Sequence, residues 1–547
     1  MTATDSIAAL RGAVEGAART LHEADPSEPR PTLERPPKPE LGDYSTNAAM
    51  LLARHLSDHP RAVAERLREQ LEGDMDLAAN LERIEVAGPG FLNFFLADGW
   101  YLRALGDLLE AGENLGPAPT TAPEKVLVEF VSANPTGPLH VGGGRHAAYG
   151  DSLVRLLEAA GHEVEREYYV NDAGSQIERF AESIAARMQG EEPPEGGYAG
   201  EYVAEIAAKL KAEGADPSDL ELLRKRGIEL MLDEIRETLE RFGVSFDRFF
   251  SERSLYEKGE VDTALADLEQ RGRTYRSEDA LWLRTTEFGD DKDRVLIRSN
   301  GEATYFMPDI AYHWDKLQRG FDRLVDVLGA DHHGYVARIR AAIAALGGNP
   351  DAFEVPIMSL VHVVESGERV QMSKRTGDFI TLDELLDDIG IDATRWFMLW
   401  RSHETTVDLD LEVARSQSSE NPVYYVQYAH ARIASILRKA GEEGASPEPT
   451  VPAERGTPLE ESEKVLIKRL LEFPEEVRTA AARRAPHRIC AYSTAVAADF
   501  HAFYRDCQVV GAEGEGVEAS RLALCLAAKR TIACALGLLG ISAPERM

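Results

Sequence analysis

The 547-residue sequence predicts an α/β protein with three parts: an α+β module, a parallel sheet with crossover helices, and an all-helical bundle. Three observations carry that expectation. Val126–Val131 (VLVEFV) is a short, apolar, β-branched run, and Glu163–Val170 (EVEREYYV) is a second strand pattern with helical spacing between them. Strand, helix, strand implies a parallel pair joined by a right-handed crossover. From Asp392 to the end, apolar residues recur at helical spacing over 392–402, 410–440, 459–481, 486–510 and 518–540, which describes a bundle. The length exceeds what one core supports, so three or four domains are expected.

Composition narrows the class. Hydrophobic residues at 44% and charged residues at 28% are those of a soluble globular protein. No run of eighteen apolar residues exists, so no membrane span is expected. The stretch MTATDSIAALRGAVEGAARTL is an amphipathic helix without a signal peptide's apolar centre, which points to the cytoplasm. A net charge of −33 taken alone argues against a polyanion partner. The acids are scattered (GEEPPEGGYAGEY, ADPSDLELL, LEESEK) and form no tail, so they read as adaptation to a solvent of high ionic strength. Cys490, Cys507, Cys525 and Cys534 form no C-x-x-C pair and join no histidine cluster at zinc spacing. They read as buried free thiols in a reducing compartment, with no protein-held metal.

Taken in order, residues 1–115 form the first unit. Gly42-Asp43-Tyr44-Ser45 turns into a helix, and Gly88-Pro89-Gly90 precedes a strand over Phe91–Leu96 that contains Asn93. Composition alone makes Tyr44 and this Phe cluster ordinary core. PAPTTAPEK (117–125) is a connector, and the sheet domain runs over 121–400. Its pattern turns helical and charged near 185, which reads as an insertion extending to about 280. Strand signals resume at Leu281–Leu283, Val295–Ile297 and Thr304–Phe306, and LVDVLGADHHGY adds a buried strand with polar residues at its C-terminal end. Ligands bind at that end in open α/β sheets. Residues 401–547 are the bundle.

Two glycine-bearing loops suit phosphate chemistry. His140-Val141-Gly142-Gly143-Gly144 follows the first strand and opens a helix, so backbone N–H groups and a positive helix end face one point. Its spacing matches neither common nucleotide fingerprint. In Gln371-Met372-Ser373-Lys374-Arg375-Thr376-Gly377 a lysine beside a hydroxyl suits charge developing on a phosphate leaving group; a solvated basic loop is the blander alternative. Glu129, Ser132, Asn134, Tyr305 and Asp309 are polar residues at the ends of predicted strands. Two carboxylates and a phenol suit a guanidinium, although the chain's own cations could satisfy them instead.

These residues resemble a known family. SANPTGPLHVGGGR followed by QMSKR is similar to the paired HIGH and KMSK signatures of class I aminoacyl-tRNA synthetases, and more narrowly to arginyl-tRNA synthetases. PELGDYSTNAAM, AGPGFLNFFL, EYYVNDAGSQI, TYFMPDIAYH, LGADHHGY, DATRWFMLWRS and LGISAPERM extend the likeness in register over the whole chain. The resemblance implies a Rossmann-type class I catalytic domain between a module that touches the tRNA elbow and an anticodon-binding bundle. It implies activation of L-arginine by ATP with Mg²⁺, then transfer to tRNA(Arg), by a monomer in which activation also needs bound tRNA. By position, His140, Gly142, Gly143, Met372, Ser373 and Lys374 would hold ATP, with His140, Ser373 and Lys374 catalytic. Glu129, Ser132, Asn134, Tyr305, Asp309 and His332 would hold arginine, and Asp43, Tyr44, Asn93, Tyr424 and Tyr428 would touch tRNA. By helical spacing alone the last two tyrosines read as core. Two departures bear on rate and not on reaction type: Gly143 stands where the second signature histidine belongs, and Gln371 where the first lysine belongs.

Overall fold

In the computed structural model, which describes residues 6–22, 31–370, 380–446 and 449–547, five strands form the central sheet. They are β1 (Lys125–Glu129), β2 (Glu163–Val170), β3 (Arg248–Ser251), β4 (Arg323–Asp326) and β5 (Phe353–Glu354). Their order is β5-β4-β1-β2-β3, and every neighbouring pair is parallel. Val126, Leu127 and Val128 are fully buried, as expected of a central strand covered on both faces. The crossover helix α1 (Val141–Ala159) packs on the end of β1 so closely that a Cβ on Gly150 would lie 2.2 Å from the Phe130 ring. Only glycine permits that approach.

Helices Ser175–Gln189, Glu201–Ala212 and Leu220–Arg241 form the insertion, and β3 then rejoins the sheet. The insertion therefore ends before Arg248, earlier than the sequence pattern indicates. Strands Ala280–Leu283 and Arg294–Ile297 fall near their expected places but belong to a separate antiparallel sheet, in which Ala280–Leu283 lies between Arg294–Ile297 and Thr274–Ser277. No strand forms over Thr304–Phe306. Helix α2 (Phe306–Gln318) begins there, because Pro308 suits a first helical turn and cannot donate to a ladder.

Beyond the sheet, β6 (Val361–Glu365) pairs in parallel with β7 (Val407–Asp410) on either side of helix α3 (Leu382–Leu399). The helix expected from residue 410 starts as the short piece Leu411–Arg415. After a break, α4 (Pro422–Glu442) begins at a proline in its first turn. Four further helices complete the bundle: Glu461–Leu471, Phe473–Ala482, His487–Asp506 and Val517–Leu538. The N-terminal module is a four-stranded antiparallel sheet with helices on it. It docks on the bundle through Asp43–Lys468 (2.7 Å), Asp98–Lys464 (2.7 Å) and Arg35–Glu472 (3.0 Å). All four cysteines are free thiols, three of them buried. Among the described residues no helix is long and apolar enough to cross a membrane.

Candidate active site

Strand β1 sends its chain to β2 on one side and pairs with the later β4 on the other, so a crevice opens between their carboxyl ends. The cleft there has a volume of about 1400 Å³. Its lining comes from the segments after β1, β2 and β4 and from the start of α1.

One half is built of carboxylates. Immediately after β1 the backbone takes left-handed values at Val131 (φ 68°) and Ser132 (φ 42°), which is costly for a β-branched residue. That turn brings Ser132 Oγ back to donate to Glu129 Oε1 (3.0 Å) while it accepts from the Tyr169 N–H (3.1 Å). The other oxygen of Glu129 takes Lys316 Nζ at 2.6 Å and the Tyr312 hydroxyl at 2.9 Å. Lys316, 0% exposed, also donates to Asp326 at 2.8 and 3.0 Å. The Tyr312 hydroxyl, with one proton between two carboxylates, also lies 2.7 Å from Glu167, which Arg319 pairs at 2.6 Å. Burial would lower the Lys316 ammonium, but Asp326 and Glu129 raise it above its ordinary value. Burial likewise pushes Asp326 up, and Lys316 and His313 more than reverse it. The carboxylate of Glu129 is thus held by the chain's own lysine.

Asp309 lies on α2 one turn before these residues and accepts from the Tyr335 hydroxyl. Burial pushes its carboxyl above the ordinary range against that bond. Nearby, Glu252 is raised to about 7 by burial and then by the charge of Asp309, against a hydrogen bond from Tyr169. Asn134 Nδ2 donates to Gln176 (2.8 Å) on the cleft wall. Tyr305 stands 77% exposed just ahead of α2, not at a buried strand end. His332 lies on the lining opposite, 3.5 Å from Asp331.

The other half is the N-terminus of α1. His140 is its N-cap, and Nδ1 accepts from the N–H groups of Gly142 (3.0 Å) and Gly143 (3.3 Å). Two of the amides that the sequence offers to a phosphate are therefore bonded internally. The arrangement puts the ring proton on Nε2, making that nitrogen a donor. A Cβ on Gly142 would lie 2.8 Å from the imidazole, so glycine is needed for this cap. Leu382 N–H donates to Leu139 O (2.7 Å) and Val141 N–H to Ile380 O (3.3 Å), which ties the glycine turn to the chain at residues 380–382. Met372, Ser373 and Lys374 themselves lie outside the described residues.

The residues expected to touch tRNA divide. Tyr44 and Asn93 are buried in the module's sheet, and Asn93 accepts from Ser45 (2.8 Å). Asp43 accepts from the Leu96 N–H (2.8 Å) and from Lys468. Burial would raise its carboxyl, but these bonds hold it below the usual range. Tyr44 and Asn93 thus lie inside the module, and half-buried Asp43 spends its carboxylate on the strand backbone and on the bundle's Lys468. Tyr424 and Tyr428 do reach the outside: their rings stack at 6.2 Å and 11°, and Tyr428 is 39% exposed. Arg432 donates to the Tyr428 hydroxyl (2.9 Å) and lies 4.7 Å from the Tyr504 ring, forming an aromatic ledge.

Sequence reasoning missed Tyr312, His313 and Lys316, although they follow Asp309 at helical spacing as a polar stripe on α2. Reading a strand over Thr304–Phe306 hid that periodicity. Glu252 and Tyr335 gave no local signal.

A parallel sheet split by this cleft, with a His-capped glycine helix at one end and buried carboxylates at the other, defines the catalytic domain of a class I aminoacyl-tRNA synthetase. Residues 105–195 and 197–430 match the family profile "tRNA synthetases class I (R), catalytic domain". Residues 7–96 match "Arginyl tRNA synthetase N terminal domain" and residues 426–547 match "DALR anticodon binding domain". The chain is 47% identical over 533 residues to an arginine–tRNA ligase of Geobacillus thermodenitrificans and 46% identical over 535 to one of Shouchella clausii, covering 95% of each chain. The Thermus thermophilus arginyl-tRNA synthetase structure superposes with a TM-score of 0.76 at 27% identity, over 99% of this chain and all of that one. A Mycobacterium tuberculosis methionyl-tRNA synthetase shares the fold at 13% identity, with a TM-score of 0.54 over 76% of this chain and 91% of that one. The chain belongs to the arginyl-tRNA synthetase family.

Proposed function

We propose that the cleft performs both half-reactions of arginine–tRNA ligation. In the first, an oxygen of the L-arginine carboxylate attacks the α-phosphorus of ATP; a P–O bond forms and pyrophosphate leaves. In the second, the hydroxyl of the terminal adenosine of tRNA(Arg) attacks the arginyl carbonyl, and AMP leaves. No protein group bonds covalently to substrate, so catalysis is placement and charge stabilisation.

The observation that supports this reading best is the juxtaposition of Glu129 and Asp309 with the His140-capped helix in one cleft. Asp309 and Glu129 would take the guanidinium, whose flat fork of donors a lysine ammonium does not reproduce. Ser132, Asn134, Tyr305 and His332 would complete the arginine side. His140 Nε2–H would meet the phosphates, Gly142 and Gly143 would let the nucleotide approach the backbone, and Met372, Ser373 and Lys374 would close on the leaving pyrophosphate. Mg²⁺ would travel with the triphosphate and keep most of its waters. The ledge at Tyr424 and Tyr428 would stack unpaired anticodon bases. We place the protein in the cytoplasm as a monomer.

The test is ATP–pyrophosphate exchange with arginine, with and without tRNA(Arg). Arginine-dependent exchange is expected, and none under either condition overturns the reading.

A further inference from the structure

Helix α1 carries a second imidazole that the reading above leaves unused. His146 lies one turn beyond Gly142 and Gly143 on the same helix face, and it lines the cleft beside His140 and near Asp331 and His332. Half-buried, it makes no hydrogen bond among the described residues. Its ring nitrogens are therefore open to the cleft and available to a bound ligand.

The backbone next to it is open. A Cβ on Gly143 would lie 3.4 Å from Leu139 Cδ2, an ordinary contact, and residue 143 is helical. Packing does not require glycine at 143, in contrast to 142. The cleft wall thus lacks a side chain at position 143, and the nearest side chain on the same helix face that reaches the cleft is His146.

We propose that His146 is a catalytic residue of arginine activation, donating an imidazole N–H to a non-bridging oxygen of the ATP triphosphate as negative charge builds there. The inference rests on the function proposed above. Burial, and then the neighbouring His140 and Arg145, pull the imidazole down to about 4. The ring is therefore neutral at physiological pH and offers one N–H and one lone pair. Arg145, the adjacent residue, is 1% exposed and adds a positive charge behind the same wall. In this chain the phosphate side would hold two imidazoles on one helix, one from the cap and one from the turn that follows.

The test compares the wild type with His146→Ala, His146→Gln, Gly143→His and the double variant His146→Ala/Gly143→His. Each is followed by ATP–pyrophosphate exchange and by thermal melting of the full chain. Removing one transition-state donor lowers a rate by roughly 10²- to 10³-fold, and His146→Ala is expected to lose about 100-fold in kcat. Its KM for arginine should stay within about twofold, since only interactions specific to the transition state act on kcat alone. His146→Gln, which keeps an N–H donor, should retain more of the rate, and Gly143→His should restore at least about tenfold in the alanine background if an imidazole at this wall is what counts. A rate within threefold of wild type in His146→Ala overturns the proposal. So does a loss that tracks a fallen melting temperature and is rescued by neither glutamine nor histidine at 143, because that is structural behaviour. A wild type without exchange removes the activation reading itself, and this role with it; a defect confined to the variants does not touch that reading.

Discussion

The two halves of the cleft treat buried charge in opposite ways. In the carboxylate half, Glu129, Asp326 and Glu167 are each paired with a cation of the chain, Lys316 or Arg319. Beside the N-terminus of α1, Arg145 is equally buried, yet among the described residues its guanidinium bonds only to backbone carbonyls: Ser359 (2.7 Å), Leu360 (3.3 Å), Ser402 (3.0 Å) and Thr405 (2.8 Å). Burial pulls it down to about 10, so it remains charged at neutral pH. Carbonyl dipoles take up its two terminal nitrogens without cancelling its charge. The contrast suits the proposed placement of the substrates. A web that must accept one more cation needs carboxylates already held apart and in place, because unpaired ones would repel or take up protons. A site for a triphosphate gains from a positive charge that no carboxylate neutralises. Arg145 also has a mechanical part, since the carbonyls it bonds lie just before β6 and β7 and so tie the ends of that parallel pair together.

Three experiments break or sharpen this contrast. The largest effect is expected from Lys316→Met, which strands Glu129 and Asp326 without their cation; losing one partner of a buried ion web costs about 3–5 kcal/mol. Denaturant unfolding followed by a probe in the catalytic domain would measure it, and a loss under about 1 kcal/mol, the value of an exposed pair, would mean that water already screens the web. Next is Arg145→Lys, which keeps the charge but has too few donors in the wrong geometry for four carbonyls. Leaving buried carbonyls unbonded should cost about 2 kcal/mol. If the guanidinium matters for charge alone, stability and ATP KM will both stay at wild-type values.

The smallest effect is a pH dependence. Glu252 has its folded value near 7, above its ordinary 4.5, so it holds a proton at pH 6 and is ionised at pH 8. The carboxylate is the form that favours a guanidinium nearby. The KM for arginine should therefore fall as pH rises from 6 to 8, by up to about tenfold, the equivalent of about 1.4 kcal/mol. Glu252→Gln should flatten that profile. Without arginine the sign reverses for stability: between 4.5 and 7 the folded state binds this proton more tightly, so this group's contribution falls as pH rises. A profile that keeps its slope in the variant would place the titration on Asp309 or elsewhere.

Much of this architecture was legible because it is written in local periodicity. The VLVEFV run, the glycine-opened helix and the apolar spacing of the bundle each reflect contacts within a short stretch. The errors came where a neighbour from far along the chain decides the outcome. Phe249–Phe250 adds to the main sheet only because β2 is there to receive it. Tyr44, which composition alone makes core, and Asn93 are buried in the module's sheet, although the family resemblance would set both against tRNA. Tyr305 was taken as the end of a strand, and Pro308 turns that segment into the first turn of a helix.

By itself the sequence determined the strand, glycine turn and helix, because they are consecutive and their geometry follows from local sterics and capping; the reaction class came from the likeness of its motifs to a known family. The tertiary structure alone decided which charges the two halves of the cleft carry in practice. It set Lys316 against Glu129, left Arg145 without a carboxylate among the described residues, and turned His146 towards the cleft near Asp331. Electrostatic energy depends on distance and burial between residues remote in sequence, and neither can be read from spacing along the chain.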